Sequence, residues 1–286
     1  MKVGTRTPVI PFFDQQVAEL DRKCRSKNSF SQYTNIEALL CILKNRELKL
    51  NSIRNVDDKT EKTYMQPLLD NDESIPYIAC FDYSLKESIP LWTMYADNPY
   101  GVKICFQTEG ARQFDKDLID TTKPVKARRF GFPSELISQQ MQQDDSLPYP
   151  KAYVHIQTKL VNYSDEIKDS AYQCPAKNLL NWATIGTLKS KDWEFQHEVR
   201  IIADINHVDW RFQDERVDVI DVPSFEYLLV PITFQRIKRI SITFSPWMGK
   251  ETKNMVRDYV DSLDFHKEGI KIQFRDSKFT DSIQRK

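Results

Sequence analysis

Lys189-Ser-Lys-Asp-Trp-Glu-Phe-Gln-His-Glu-Val-Arg-Ile-Ile-Ala203 sets cations, an indole, carboxylates, a histidine and an arginine in front of a β-branched apolar run. The Val199–Asp204 part reads as a buried or half-buried strand, because Val and Ile favour a pleated surface. Side chains alternate across a strand, so Glu198, Arg200 and Ile202 share one face while His197, Val199 and Ile201 share the other. A carboxylate at the mouth of such a strand is held on a rigid element, which suits a catalytic group. A structural ion pair between Glu198 and Arg200 explains the same pattern, and both readings stay open.

Working outward, Phe30–Thr34 reads as a short strand. Asn35 caps a helix to Asn45 whose Ile36, Leu39, Leu40 and Leu43 follow helical spacing, and Glu47–Ser52 alternates as a second strand. Tyr33 and Thr34 fall at the strand-to-helix junction. Pro76–Asp82 is a further strand. In 89–97, Leu91, Trp92 and Tyr95 lie at helical spacing, and Tyr100–Phe106 is a strand opened by Gly101. Residues 107–150 show little pattern. Lys123-Pro-Val-Lys-Ala-Arg-Arg129 is read there as a solvated strand edge, and Gln139–Ser146 as a surface helix or loop. Beyond it come a strand over 152–163, a helix over 176–188, and strands over 217–222, 225–230 and 237–244. A helix over 250–263 and a strand over 269–275 follow. The expected fold is α+β, a mixed and mostly antiparallel sheet decorated with helices. Residues 1–29 form an N-terminal arm and helix, the latter capped by Asp14 and running to about Cys24. Residues 30–275 form a single domain and 276–286 a tail.

Composition narrows the chemistry. Lys+Arg and Asp+Glu are both 41, so no net charge draws the chain towards nucleic acid or an anionic surface. With 7 glycines and neither G-x-G-x-x-G nor a P-loop, a glycine cradle for phosphates is excluded. The 5 cysteines are scattered without a C-x-x-C pair, the 4 histidines lack metal-ligand spacing, and no signal peptide or spanning segment is visible. The expectation is a cytoplasmic, metal-free protein with no membrane partner.

Three segments together resemble a bacterial domain-of-unknown-function family: Tyr33-Thr34 with its helix, Leu91-Trp-Thr-Met-Tyr-Ala-(x4)-Gly101-Val, and Trp193-(x4)-Glu198-x-Arg200-Ile-Ile. A looser resemblance is to ADP-ribosyltransferases, whose three motifs fall here on Tyr33–Thr34, on the Trp92–Gly101 element and on Glu198. The first motif departs from that pattern, offering Gln32-Tyr33-Thr34 and no histidine. The resemblance implies an enzyme consuming NAD as its substrate, a transferase acting as a bacterial toxin or phage-defence effector with a macromolecular acceptor of protein or nucleic acid. Glu198, Tyr33 and Tyr95 would be catalytic, and Thr34, Trp92, Lys189, Trp193 and Arg200 would bind the dinucleotide. Tyr33, Trp92 or Tyr95 would stack on the nicotinamide, and Arg200, Lys189 or Lys191 would neutralise the diphosphate.

Two alternatives remain. Trp92 and Tyr95 equally suit a satellite of the core, and the whole chain a non-catalytic binding or sensing module. The acidic loop Asn55-Val-Asp-Asp58-Lys-Thr-Glu61 would instead serve a metal-dependent nuclease.

Overall fold

The computed structural model describes residues 19, 22–24, 26–56, 58, 61, 76–96, 99–109, 114–128, 135–137, 152–164, 186–207, 225–280 and 282. Its first unit is strand β1 (Ser29–Asn35), helix α1 (Ile36–Asn45) and strand β2 (Glu47–Ser52). The Asn35 side-chain oxygen accepts the Ala38 N–H at 2.8 Å, the expected cap. Arg46, in the left-handed region, turns the chain back. Then follow a 3-10 turn (Ile53–Asn55), β3 (Tyr77–Asp82), α2 (Ile89–Tyr95), β4 (Gly101–Thr108), α3 (Phe114–Leu118), β5 (Val125–Arg128) and β6 (Glu135–Ile137). The second half holds β7 (Ala152–Leu160), β8 (Asn162–Tyr163), β9 (Leu188–Lys189), a 3-10 turn (Lys191–Gln196) and β10 (Glu198–His207). It closes with β11 (Tyr227–Pro231), β12 (Ile237–Phe244), α4 (Lys250–Asp261), a 3-10 turn (Phe265–Glu268) and β13 (Lys271–Asp276).

The main sheet runs β13-β12-β4-β1-β3-β2-β11-β5-β6, with β10 laid on β3 and β7 on β10. Its described pairings are antiparallel except β12 with β13. The α+β class and the mostly antiparallel sheet are as the sequence pattern implies. One face carries Phe30, Leu48, Leu50, Ala79, Phe81, Ile104, Phe106, Val199 and Ile201, and α1, α3 and α4 cover it with Leu39, Leu43, Phe114, Val256 and Val260. That core holds the sheet rigid while the opposite face stays polar between β4 and β10.

Strand β3 is where the sheet divides. Strand β10 pairs with it along its whole length, from Glu198 opposite Asp82 to Ala203 opposite Tyr77. On its other edge β1 pairs only at Asp82 and β2 only at Ile78 and Tyr77. The Ala79–Phe81 edge therefore faces a split between β1 and β2, bridged by Gln32 Nε2 donating to the Cys80 carbonyl at 3.2 Å.

Two expectations change. Lys123–Arg129 is not a sheet edge: β5 lies between β11 and β6, burying Val125 and Ala127. The helix expected over 176–188 does not reach Leu188, which pairs in parallel with Asn162 beyond a turn at Gly186, where φ is +68°. Residues 176–185 lie outside the described residues, as do the 1–13 arm, the 139–146 segment and the 217–222 strand. Of the 14–24 helix only Glu19 and Arg22–Cys24 fall within them.

Candidate active site

A cavity of about 310 Å³ opens on the polar face over the split. Alternation along β3 and β10 places Cys80 and Asp82 beside Arg200 and Glu198 on its floor, in the register Asp82 opposite Glu198 and Cys80 opposite Arg200. From the other side β1 brings Ser31, opposite Asp82, and Tyr33.

The floor is charged and buried. Arg200 is 1 % exposed and holds both oxygens of Glu61, while its Nη1 also donates to the Gly186 carbonyl at 2.6 Å. Its Nε donates to Glu198 Oε1 at 2.6 Å, so four of the five guanidinium N–H groups are taken. Glu198 Oε2 accepts from Lys189 Nζ at 2.9 Å. Burial alone would raise the Glu198 carboxyl, but Arg200 and Lys189, with a hydrogen bond from the Cys80 thiol, outweigh it and hold the group at about 2. Between Glu61 and Glu198, Arg200 is pushed well above its ordinary value. Tyr163 Oη accepts the Glu198 backbone N–H at 2.9 Å and locks the strand entrance.

The wall is built by α2 and the 3-10 turn before β10. Ser190 Oγ caps that turn by accepting the Asp192 N–H, and His197, left-handed at φ 45°, ends it and swings the chain into β10. Gln196 is thereby buried between the two units. Its amide donates to Tyr95 Oη at 2.8 Å and its oxygen accepts Lys189 Nζ at 2.6 Å. A polar chain thus runs Tyr95–Gln196–Lys189–Glu198–Arg200–Glu61. Trp193 lines the cavity with the Lys189 ammonium 5.2 Å from its ring centroid. At the far end of α2, a Cβ on Gly101 would lie 1.8 Å from the Ala96 carbonyl oxygen, so only glycine lets β4 start against α2.

Glu198, Arg200, Lys189, Trp193, Tyr33 and Tyr95 all line this one cavity. Trp92 and Thr34 do not line it. Trp92 is wholly buried, donates from Nε1 to Glu87 at 3.1 Å and meets Tyr33 edge-on, so it has no face left for a ligand. That is the core-satellite reading of the indole. Thr34 sits one residue past the part of β1 that reaches the cavity. Tyr33 also anchors the 84–88 loop: its Oη accepts the Ser88 N–H at 2.9 Å, and burial pushes the phenol up, so it stays protonated. Arg200 and Lys189 spend most of their donors within the floor, four of five on Arg200 and two of three on Lys189.

Asp82, Cys80, Gln32 and Gln196 escaped the sequence reading. Asp82 closes the apolar run of β3, and its register against Glu198 emerges only once the strands pair. Gln196 lies in the 3-10 turn, and the left-handed His197 after it breaks the strand alternation that would have placed it relative to Glu198. The Cys80 side chain opens on the cavity, yet the walls crowd it enough for burial to push the thiol up and leave it a poor nucleophile. Among the described residues no three His, Cys, Asp or Glu side chains converge as a metal site. Asp58 and Glu61 line the cavity, but Glu61 is held by Arg200, and Asp57 lies outside the described residues. No helix of the described residues is long and apolar enough to cross a membrane.

No family model, curated protein or solved structure matches the chain.

Proposed function

We propose that the cavity binds the nicotinamide–ribose half of NAD and cleaves the bond between them, as an NAD glycohydrolase or ADP-ribosyltransferase would. The observation that carries this reading is Glu198: an ionised, buried carboxylate on the floor of a cavity that Trp193 and Tyr95 also line. Breaking the glycosidic bond builds positive charge on the ribose, and a fixed carboxylate in a water-poor site stabilises it without reorganising. Charge supports the same ligand. The lining holds Lys49, Lys189 and Arg200 against Asp58, Glu61, Asp82 and Glu198, a balance that suits a cationic pyridinium better than a diphosphate. A volume of about 310 Å³ lies at the small end of ligand pockets and holds one half of a dinucleotide. The adenylate half would lie outside the cavity, on the side where the lining residue Lys49 is exposed. In the split, the Ala79–Phe81 main chain is part of the lining. Ala79 and Phe81 turn their side chains to the core, and the Cys80 carbonyl between them accepts from Gln32 Nε2 at 3.2 Å, so a ring-borne carboxamide would meet the Gln32 amide as well as main chain there.

A second reading has its own support. Both Glu198 oxygens already accept bonds from cations, as a structural ion-pair network in a non-catalytic binding module would require. Nicotinamide release from labelled NAD by wild type and Glu198→Gln separates the two. The enzyme reading expects release by wild type and a loss of 100-fold or more in the variant, about the ~3 kcal/mol of one lost transition-state interaction. The label then shows whether water, protein or nucleic acid is the acceptor. NAD that raises the melting temperature but is never cleaved supports the module.

A further inference from the structure

We propose that Asp82, and not Glu198, is the base that activates the acceptor in this cavity. The inference rests on the NAD-cleaving reading and assigns the second half of its chemistry. The two carboxylates occupy facing positions of β3 and β10 and line the same cavity, but their surroundings differ. Glu198 has one cation on each oxygen, so a proton transferred to it would have to break an ion pair. It is suited to stay charged. Asp82 Oδ1 accepts the Ser84 backbone N–H at 2.7 Å, which fixes the side chain, while Oδ2 accepts from Lys103 Nζ in one buried ion pair whose 3.4 Å is longer than either cation contact on Glu198. Lys103 spends a better bond, 2.8 Å, on the Lys86 carbonyl. With one cation at the longer distance, Asp82 is the cavity carboxylate that can take a proton without breaking a close ion pair.

The step balances without a further reagent. The acceptor O–H attacks C1′ of the ribose, the C1′–N bond breaks, and its electron pair neutralises the pyridinium to release nicotinamide. The acceptor proton passes to Asp82 Oδ2 and then to solvent. Glu198 stays ionised throughout and stabilises the charge on the ribose. Lys103 is a positioning residue, seated on β4 opposite Tyr33 with its ammonium 5.0 Å from that ring centroid.

The groups facing Asp82 are Lys103 and Cys105 on β4, Tyr33 and Ser31 on β1, Cys80 on β3, Glu198 on β10 and Glu87 in the following loop. The test compares Asp82→Asn, Asp82→Ser and Glu198→Gln in the full chain, with melting temperature and circular dichroism reporting the fold. Loss of the base is expected to lower kcat by 100- to 10,000-fold with little change in KM. Azide needs no base, so it should restore turnover in a folded Asp82 variant and yield ADP-ribosyl azide, but do nothing for Glu198→Gln. A purely structural Asp82 would show no rescue. Near-normal turnover in a folded Asp82 variant, or a loss that azide leaves untouched, overturns the assignment. Wild type that never cleaves NAD overturns the parent reading instead, and the assignment with it.

Discussion

Asp204 allows a sharp test of the electrostatics of β10. It lies on the same strand face as Glu198 and Arg200 and is as buried as Glu198, 4 % exposed, but its Oδ1 has no hydrogen-bond partner among the described residues. Burial alone pushes its carboxyl from 3.8 up to about 7. The folded state then binds more protons than the unfolded chain across that window. Its stabilising contribution is complete below about pH 4 and is lost as pH rises through 7. A gap of roughly three pKa units at about 1.4 kcal/mol each amounts to about 4 kcal/mol. Asparagine has the same shape and no charge. Asp204→Asn should lie within about 1 kcal/mol of wild type at pH 4.5 and gain up to about 4 kcal/mol at pH 8.5, which for a chain of this size is on the order of 10 °C in Tm. Thermal unfolding of both proteins across pH 4.5–8.5 measures it, and the difference at each pH cancels every titration the two share. A difference that stays flat with pH would falsify the argument, and one that turns negative above pH 7 would place a cation against the carboxylate.

Two further outcomes follow from the packing. Arg200→Lys replaces a planar fork by one ammonium and leaves Glu61 and Glu198 short of buried partners; a loss of about 3–5 kcal/mol is expected in urea unfolding, and a cost under about 1 kcal/mol would mean the network is not what holds the floor. Gly101→Ala drives a methyl into the Ala96 carbonyl, so it should cost at least about 3 kcal/mol and lower the melting temperature; an unchanged Tm would show that the α2–β4 junction yields easily.

Much of the fold was legible because its elements obey simple periods. The α1 stripe of Leu39 and Leu43, the Asn35 cap and the alternation of β2, β10 and β12 follow from local chemistry alone. So does the pairing of faces that sends Glu198 and Arg200 one way and Val199 and Ile201 the other. The rest depends on partners far along the chain. Lys126 and Arg128 look like an exposed edge until β11 and β6 pair on both sides of them. Trp92 and Tyr95 share one helix and look alike as sequence, yet one is buried against Tyr33 and the other reaches the cavity mouth. Asp82 ends an apolar strand, and nothing local tells that Glu198 will lie across from it. Arg200 is an available cation in the sequence, and only the arrival of Glu61 and Gly186 shows it to be spent.

The pairing of β10 with β3 joins residues 116 positions apart, Glu198 and Asp82, and every part of the cavity floor depends on it. Closing so long a loop is slow, because chain entropy is lost before any contact compensates it. Until β10 arrives, Tyr77-Ile-Ala-Cys-Phe81 is an apolar strand with one edge bare and the other only partly covered. Such a strand invites pairing with a second chain. Asp82 closes that run with a charge, and Arg200 sits in the middle of the strand that must find it. The residues that make the floor polar therefore also guard the nascent chain against aggregation, and neutralising them should lower the yield of soluble protein before it alters any finished molecule.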